Sequence, residues 1–370
     1  MTRTAKAVVC REVNAPVQVE EIRVDPPKRG EITIKIAACG VCHSDLSATN
    51  GTLPLPPPLI LGHEGAGTVV EVGEGVTDFQ VGDAVLSSFV YMCGKCRNCV
   101  RGRPVLCEQA GKAFYQLPDG TVRTHDADGG DLNVFCGCGV MADYATLHTD
   151  NAVKIGKDVP LDKAALVGCA VMTGVGAVMN TAALEPGSKA AVFGVGGVGL
   201  NVVQGCRMAG ADTIVAVDTN DGKLTMAREF GATDTVNAKS EEDVAKAVKK
   251  LTGGGVDYAF ECVGAGATVE QAYNALGKGG VAIVLGVAAG KERTTIKTVT
   301  LPMEERTLKG SWFGSARPQY DFPRILNLYQ RGRLKLDELV TRTYGIDEAP
   351  QAFADLESGA NARGVIVFDQ

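Results

Sequence analysis

The sequence predicts a two-domain α/β protein in which a mostly-β, barrel-like domain is joined to a domain with a doubly wound parallel sheet. The first observation is a change of pattern: short β-like runs with Gly and Pro punctuation continue to about residue 170, and apolar strands with helix-length spacers follow from about residue 188. The second is length, because 370 residues exceed what one hydrophobic core usually supports. We therefore expect two separate cores.

The predicted strands fall into two groups. Those of the first domain are short and bounded by turn residues, and they cover residues 7–9, 32–36 and 67–72. Those of the second domain are continuously apolar, as strands covered by helices on both faces must be, and they cover residues 190–193, 213–217, 256–260 and 281–285. The order of the two groups gives the order of the domains.

Composition argues against several classes of partner. A formal net charge of −6 offers no general attraction to nucleic acid or to anionic membranes. With 45% hydrophobic and 22% charged residues the chain is typical of globular proteins, and it has no apolar run long enough to span a bilayer. The first residues lack the apolar core of a signal peptide. We expect a cytoplasmic protein without nucleic-acid or membrane partners, in which clustered cysteines indicate a metal rather than disulfides.

Four closely spaced cysteines form the strongest local signal. Cys93, Cys96 and Cys99 are three residues apart, and Cys107 follows after a short loop. Such steps let thiolates converge on one ion, and a structural zinc takes four ligands with no open position. A disulfide pair or four buried cysteines is the alternative, but the polar and Gly-rich surroundings argue against burial. We therefore predict a structural zinc lobe over residues 93–107.

A glycine-rich turn opens the second domain. Gly194, Gly196 and Gly199 follow a predicted strand and begin a predicted helix, and Asp218 ends the next strand, nineteen positions after Gly199. This context predicts a dinucleotide site that favours NAD over NADP, because Asp218 would accept hydrogen bonds from the adenosine ribose and repel a 2′-phosphate. A tight turn without a ligand is the alternative. The predicted cofactor contacts of this region are Gly194, Gly196, Gly197, Val198, Gly199, Asp218 and Lys223.

A third set of residues has the composition of a catalytic zinc site. Cys42, His63 and Cys169 would provide three protein ligands and leave one coordination position open. Their separation in sequence does not show that they converge, and Cys39 is a rival ligand, three residues before Cys42. Spacing alone leaves both possibilities open.

The motifs at residues 42–45, 62–67 and 167–169, together with the four-cysteine lobe and the glycine-rich turn, resemble zinc-dependent medium-chain alcohol dehydrogenases. The resemblance covers nearly the whole chain. It implies a GroES-like catalytic domain over 1–170 and 313–370, and a Rossmann NAD-binding domain over 171–312. It also implies two zinc ions per chain, the catalytic one held by Cys42, His63 and Cys169, with Cys39 as a packing residue.

The resemblance implies further roles in the first domain. Ser44 is similar to the hydroxyl that receives the substrate proton, Asp45 to the carboxylate that orients the zinc-bound histidine, and Glu64 to a glutamate behind the zinc. His43 and Arg363 match contacts to the cofactor pyrophosphate. Without the resemblance, Ser44 or Asp45 would cap a helix that starts near Leu46, Glu64 would pair with a lysine, and His43 and Arg363 would be surface residues.

The implied reaction is reversible hydride transfer between a primary alcohol and NAD. Phe89, Phe135, Val287 and Trp312 would line the alcohol pocket, which favours hydrophobic or aromatic alcohols, although each could also be a packing residue. Thr173 and Val287 would contact the cofactor. Many relatives have a histidine where this chain has Ser47, so the proton relay from Ser44 would end in water.

Two alternatives remain open. Residues 168–174 and 311–314 are similar to the bacterial branch that oxidises formaldehyde adducts of thiols, with Lys112, Arg317 or Arg324 as contacts for the carrier. A non-catalytic protein that binds zinc and nucleotide is less consistent with a complete three-ligand set. The long connection from Cys107 to Cys169 resembles the dimeric members of the family, so we expect a homodimer in which last strands of two sheets meet, with residues 294–303 as the contact segment.

Overall fold

The chain separates into two units, and the computed structural model describes residues 1–359 and 361–369. The first, here the β unit, comprises Met1–Cys169 and Arg317–Gln370; the second, the α/β unit, comprises Ala170–Ala316. The junctions predicted from the sequence follow residues 170 and 312, whereas those of the structure follow Cys169 and Ala316.

The strands are numbered in chain order. They are β1 (Arg3–Cys10), β2 (Gln18–Val24), β3 (Glu31–Val41), β4 (Leu59–Ile60), β5 (Gly65–Val72), β6 (Ala84–Ser87), β7 (Thr124–His125), β8 (Asn133–Val134), β9 (Tyr144–His148), β10 (Ala152–Ile155), β11 (Lys189–Phe193), β12 (Thr213–Asp218), β13 (Asp234–Asn237), β14 (Val256–Glu261), β15 (Leu276–Val284), β16 (Thr307–Gly310), β17 (Val340–Tyr344) and β18 (Arg363–Val367).

The helices are numbered in the same way. The α-helices are α1 (His43–Thr49), α2 (Arg97–Val100), α3 (Leu161–Ala164), α4 (Ala170–Gly176), α5 (Gly197–Ala209), α6 (Asp221–Phe230), α7 (Val244–Thr252), α8 (Gly266–Asn274), α9 (Thr300–Met303), α10 (Pro318–Gln330) and α11 (Ala349–Ser358). Short 3₁₀ helices cover Pro104–Leu106, Ala110–Ala113, Phe135–Gly137, Thr149–Asn151, Ala165–Gly168, Phe313–Ser315 and Ile346–Glu348, and a π-helix covers Ala177–Ala182.

Two sheets form the β unit. One has the order β7-β2-β1-β4-β8; the other has the order β10-β6-β5-β3-β18-β17, with β9 also paired to β3. Strand β3 lies in the interior of the second sheet. Its residues are buried along almost its whole length, and Ile32, Ile34 and Ile36 are fully buried in the core. The carboxyl end of β3 leads directly into α1, where the first predicted metal ligand lies.

A single six-stranded sheet forms the core of the α/β unit. Its order is β13-β12-β11-β14-β15-β16, and all of its neighbouring strands are parallel. The strand order reverses between β11 and β14, where Phe193 pairs with both Val217 and Glu261. In sheets of this type a ligand binds beyond the carboxyl ends of the strands at this switch point. The doubly wound parallel sheet predicted from the apolar runs is confirmed.

Three local expectations were wrong. The helix expected near Leu46 begins at His43, because Cys42 and Asp45 form the hydrogen-bonded start of α1. Residues 294–303 do not form the last strand of the sheet. Pro302 lacks a backbone N–H, the chain makes the single turn α9, and the edge strand is β16. Strand β15 begins at Leu276, five residues before the predicted start.

No individual helix within the described residues has the length and apolar character of a membrane span; only the bent pair Leu161–Gly168 and Ala170–Ala182 meets those criteria, on length and composition alone.

Candidate metal centres and cofactor site

The four cysteines of the lobe converge. The Sγ atoms of Cys93, Cys96, Cys99 and Cys107 all lie within 4.8 Å of one another. Backbone N–H groups of Cys93 and Gln109 donate to Cys107 Sγ at 3.4 and 3.3 Å, and such bonds would stabilise a thiolate at this position. Short helical turns, α2 and Pro104–Leu106, bring the distant fourth cysteine back to the first three. The donor set fits a closed, tetrahedral zinc site.

A second convergent group lies inside the β unit. Donor atoms of Cys42, His63, Glu64 and Cys169 also lie within 4.8 Å of one another, and all four residues are buried. Cys42 is the N-cap of α1, His63 and Glu64 lie between β4 and β5, and Cys169 ends the short helix Ala165–Gly168. The fold thus brings together three segments that are distant in sequence.

Unpartnered atoms show that this cluster is suited to a cation. Among the buried side-chain atoms of the described residues, His63 Nε2 and Glu64 Oε1 have no hydrogen-bond partner. A buried polar atom without a partner is costly, and a metal ion is one way to satisfy an imidazole nitrogen and two thiolates at once. Cys39 lies outside the group, and its thiol donates to Gly40 O at 3.4 Å. The geometry therefore favours Cys42 over the rival Cys39.

Asp45 connects two of the candidate ligands. Its Oδ1 lies 3.3 Å from His63 Nδ1 and accepts from Gly62 N at 3.0 Å, while its Oδ2 accepts from Cys42 N at 3.1 Å. The fully buried carboxylate therefore fixes the imidazole orientation and leaves Nε2 facing the cluster. The helix-capping and histidine-orienting roles are both present in this one side chain.

The two thiols of the cluster have pKa values that are shifted in opposite directions. The contact with Cys169, reinforced by His63, lowers the pKa of Cys42 well below its usual value, and the same contact with Cys42 raises the pKa of Cys169. Burial opposes a charged imidazole, but Asp45 and Cys42 outweigh it and raise the pKa of His63. Burial also raises the pKa of Glu64 to about 7. A metal ion bound here would displace protons from the thiols, because cysteine ligands bind as thiolates.

Arg363 has a partner that the sequence did not predict. Its guanidinium donates to Glu64 Oε2, and the exposed fraction of Arg363 is only 4%. Burial opposes the guanidinium charge, but Glu64 outweighs it and raises the pKa of Arg363. The alternative in which Glu64 pairs with a lysine was wrong, because its partner is Arg363, and burial excludes the surface alternative for Arg363. No sequence signal joins two residues separated by 299 positions.

The predicted relay and pocket residues of the β unit lie beside the cluster. Ser44 Oγ is 3.8 Å from Cys42 Sγ, and His43 is an exposed residue at the start of α1. The rings of Phe89 and Phe135 make edge contacts with the His63 imidazole, at centroid distances of 5.5 and 5.1 Å. Phe135 is fully buried and Phe89 is partly exposed, so two aromatic side chains contact the candidate ligand His63.

The glycine-rich turn has the geometry of a phosphate-binding turn. Gly194 has a φ of +84°, and a Cβ on Gly199 would lie 1.9 Å from Gly194 O, so both positions require glycine. Around Gly196, the N-cap of α5, a Cβ would meet nothing within 4 Å. Asp218 Oδ2 accepts from Val195 N at 2.9 Å and ties β12 to the turn. The open space at a helix N-terminus suits an anionic pyrophosphate.

The remaining predicted contacts lie in the α/β unit. Gly197 and Val198 begin α5, Lys223 lies in the first turn of α6, and Thr173 is buried within α4. The exposed fractions of Val287 and Trp312 are 55% and 43%, so neither is a core residue of its own unit.

Comparison with known proteins identifies the family. A model of the alcohol dehydrogenase GroES-like domain matches residues 28–157, and a model of zinc-binding dehydrogenases matches residues 197–331. The chain belongs to the zinc-dependent medium-chain alcohol dehydrogenase family. The resemblance drawn from the motifs is therefore confirmed, as is the combination of a GroES-like domain with a parallel-sheet domain.

Relatives of this dehydrogenase have several named activities. It is 39% identical to S-(hydroxymethyl)glutathione dehydrogenase of Paracoccus denitrificans, over 98% of this chain and 99% of the relative. It is 40% identical to the NDMA-dependent alcohol dehydrogenase of Amycolatopsis methanolica, over 98% of each chain. The crystal structure of benzyl alcohol dehydrogenase from Acinetobacter calcoaceticus superposes with a TM-score of 0.94 at 32% identity, covering 99% of this chain and 100% of that one.

Proposed function

We propose that this dehydrogenase oxidises a hydrophobic or aromatic primary alcohol to an aldehyde, reversibly, with NAD as the hydride acceptor. The observation that carries the proposal is the buried convergence of Cys42, His63 and Cys169, with His63 Nε2 unpartnered and two phenyl rings against the imidazole. A zinc ion held by these three residues would supply Lewis-acid stabilisation of charge on the alcohol oxygen.

The chain's own residues have distinct tasks in this proposal. Asp45 holds the imidazole of His63 in place, and Ser44 Oγ, beside Cys42, takes the proton released by the alcohol and passes it to water. Phe89 and Phe135 keep water away from the imidazole and give the substrate an apolar surface. The Arg363 guanidinium holds Glu64 behind the thiolates.

The cofactor preference rests on the α/β unit. Asp218 stands at the end of β12, with its carboxylate fixed by backbone N–H groups of Val195, Thr219 and Asn220. A negative charge held there accepts hydrogen bonds from a ribose and repels a 2′-phosphate, so we propose NAD rather than NADP. NAD bound at the switch point would accept the hydride.

A thiol-dependent formaldehyde dehydrogenase is the second candidate, because a relative at 39% identity is named S-(hydroxymethyl)glutathione dehydrogenase. The two candidates differ in their need for a thiol. Purified protein is assayed for metal content and for NAD or NADP reduction with benzyl alcohol, with aliphatic alcohols, and with formaldehyde in the presence and absence of glutathione. The assays are repeated with NDMA, because another relative is named for its dependence on it.

Two zinc ions per chain and thiol-independent reduction of NAD by benzyl alcohol are the expected results. Turnover only with formaldehyde and glutathione together would select the second candidate. A protein that holds zinc in the four-cysteine lobe but none at Cys42, His63 and Cys169 would overturn both.

We also propose that the protein is a homodimer formed through the edge of the parallel sheet. The edge strand β16 is exposed at all four residues, and apolar Leu308, Val299 and Met303 are 39%, 56% and 77% exposed. An unprotected strand edge of this kind is a template for pairing with a second copy. Light scattering should give twice the chain mass of 38.6 kDa, and a monomeric mass would reject the proposal.

A further inference from the structure

One buried hydroxyl outside the set of candidate ligands holds the backbone that carries two of them. Ser87 is the last residue of β6 and is fully buried. Its Oγ donates to His63 O at 3.0 Å and accepts from Gly65 N at 2.8 Å. These two groups belong to the peptide bonds before and after Glu64, so the Ser87 hydroxyl is hydrogen-bonded to both peptide groups that flank Glu64.

The position of Ser87 at the end of the β5–β6 pairing explains why a side chain, rather than the backbone, bonds to His63 O and Gly65 N. The ladder between β5 and β6 pairs Thr68 with Ala84, Gly67 with Val85 and Ala66 with Leu86, and it ends there. One residue further on, the Ser87 hydroxyl bonds to Gly65 N and His63 O. Both backbone groups lie in buried residues, and a buried backbone group without a partner is destabilising. The hydroxyl therefore continues the strand pairing up to the metal cluster.

The same residue also lies against the segment that carries Cys169. A Cβ on Gly168 would approach Ser87 O to 3.0 Å and Glu64 Cα to 3.4 Å. The backbone of Ser87 thus packs closely on the residue before Cys169, while its side chain fixes the turn that contains His63. Two of the three segments that form the cluster are in contact with Ser87.

We infer that Ser87 is a positioning residue for the buried metal site: its hydroxyl keeps His63 Nε2 and the Glu64 carboxylate directed at Cys42 and Cys169. The inference rests on the proposed metal at Cys42, His63 and Cys169. Ser87 does not touch substrate or metal in this role, and it acts only through the His63 and Gly65 backbone. Partners that orient ligands in this indirect way typically change metal affinity by about 10–100-fold when they are removed.

The neighbouring residue provides a matched control. Ser88 is 1% exposed, and its hydroxyl donates only a long bond, 3.4 Å, to Val90 O. Ser87→Ala and Ser88→Ala remove the same group from adjacent buried positions, but only the first removes a contact with the metal cluster. Ser87→Thr keeps the hydroxyl and tests rescue. Ser87→Cys fills nearly the same space with a weaker hydrogen-bonding group, and it replaces the alanine variant if that variant does not fold.

The test follows metal retention rather than activity. Each full-length protein is loaded with Co²⁺, and the loss of the visible absorption band of the buried cysteine-histidine site is followed after addition of a chelator, together with metal content per chain. We expect Ser87→Ala or Ser87→Cys to release this metal about 10–100-fold faster than wild type, with the four-cysteine lobe unchanged, and Ser88→Ala and Ser87→Thr to behave like wild type.

Two results would overturn the inference. The first is equal metal release from the Ser87 and Ser88 variants. The second is equal acceleration at the buried site and at the four-cysteine lobe, which would indicate general destabilisation. Failure of the proposed function looks different, because wild-type protein would then show no metal at the buried site before any variant is compared.

Discussion

The two cysteine-containing sites differ in almost every physical respect. The lobe at residues 93–107 gathers four thiols from one short loop. Three of them are partly exposed, and backbone N–H groups donate to the fourth, Cys107. The cluster of Cys42, His63, Glu64 and Cys169 is buried, mixed in chemistry and assembled from three distant segments. Local chain geometry is enough to gather the four thiols of the lobe, whereas the donors of the buried cluster come together only through the fold.

The largest expected effect is the loss of catalytic activity when a ligand of the buried cluster is removed. Cys42→Ala should lower kcat/KM for the alcohol by at least about 10³-fold, because a Lewis-acid metal supplies several kcal/mol and each factor of ten is about 1.4 kcal/mol. It should also reduce the metal content from two ions per chain to one. Cys39→Ala is the control, since Cys39 is fully buried three residues away but lies outside the cluster. If Cys39→Ala loses the metal instead, the assignment of the ligands is wrong.

Removal of a ligand from the lobe should affect stability more than chemistry. Cys96→Ala opens the four-thiol site, and we expect the melting temperature to fall by roughly 5–15 °C, since loss of a structural metal is among the larger single-site effects. The buried site should keep its metal. Cys10→Ala, at a buried thiol of the same unit without a metal partner, is the control. A Cys96 variant that keeps both metals and its stability would show that the lobe is not a metal site.

Asp45→Asn tests whether the buried site depends on charge as well as shape. The carboxylate contacts His63, Gly62 and Cys42, so its neutralisation should accelerate metal loss to a chelator by about 10–100-fold. Asp83→Asn is the matched control, because Asp83 is a buried carboxylate of the same unit that is bonded to Gln80 N and Lys154. Similar metal loss in both variants would remove the special role of Asp45.

The smallest expected effect is a difference in the rate at which the individual cysteine thiols are alkylated. In metal-free protein, a backbone N–H of Cys99 and other local donors lower the pKa of Cys96 to about 6, whereas burial raises the pKa of Cys99 to about 12. Iodoacetamide should therefore modify Cys96 increasingly as pH rises through about 6, reach a plateau above pH 7, and leave Cys99 largely unmodified at neutral pH.

Cys42 provides a comparison with Cys96, because the pKa of Cys42 is also lowered but its exposed fraction is only 6%. We expect mass spectrometry of peptides to show Cys42 protected while the protein is folded. Rapid modification of Cys42 at pH 7 in folded protein would mean that the buried cluster is open to solvent.

Much of this dehydrogenase was determined by local sequence. The three-residue steps from Cys93 to Cys99 define the lobe, because the ligands and the chain that brings them together are the same short segment. The glycines at 194 and 199 were also predicted from local sequence. Gly194 has a φ of +84°, and a Cβ on Gly199 would lie 1.9 Å from Gly194 O, so both positions require glycine. Apolar runs predicted the parallel sheet, because strands buried on both faces need no alternation.

Only the tertiary structure decided the rest. Residue spacing did not distinguish Cys42 from Cys39; the structure does, because β3 ends at Val41, between the two, and only Cys42 lies close to His63 and Cys169. The structure also pairs Glu64 with Arg363 and joins the Ser87 hydroxyl to the two peptide groups that flank Glu64. All of these contacts are between residues that are far apart in the chain. Such contacts depend on strand register and sheet order, which arise from packing of the whole core, and no short segment of sequence specifies them.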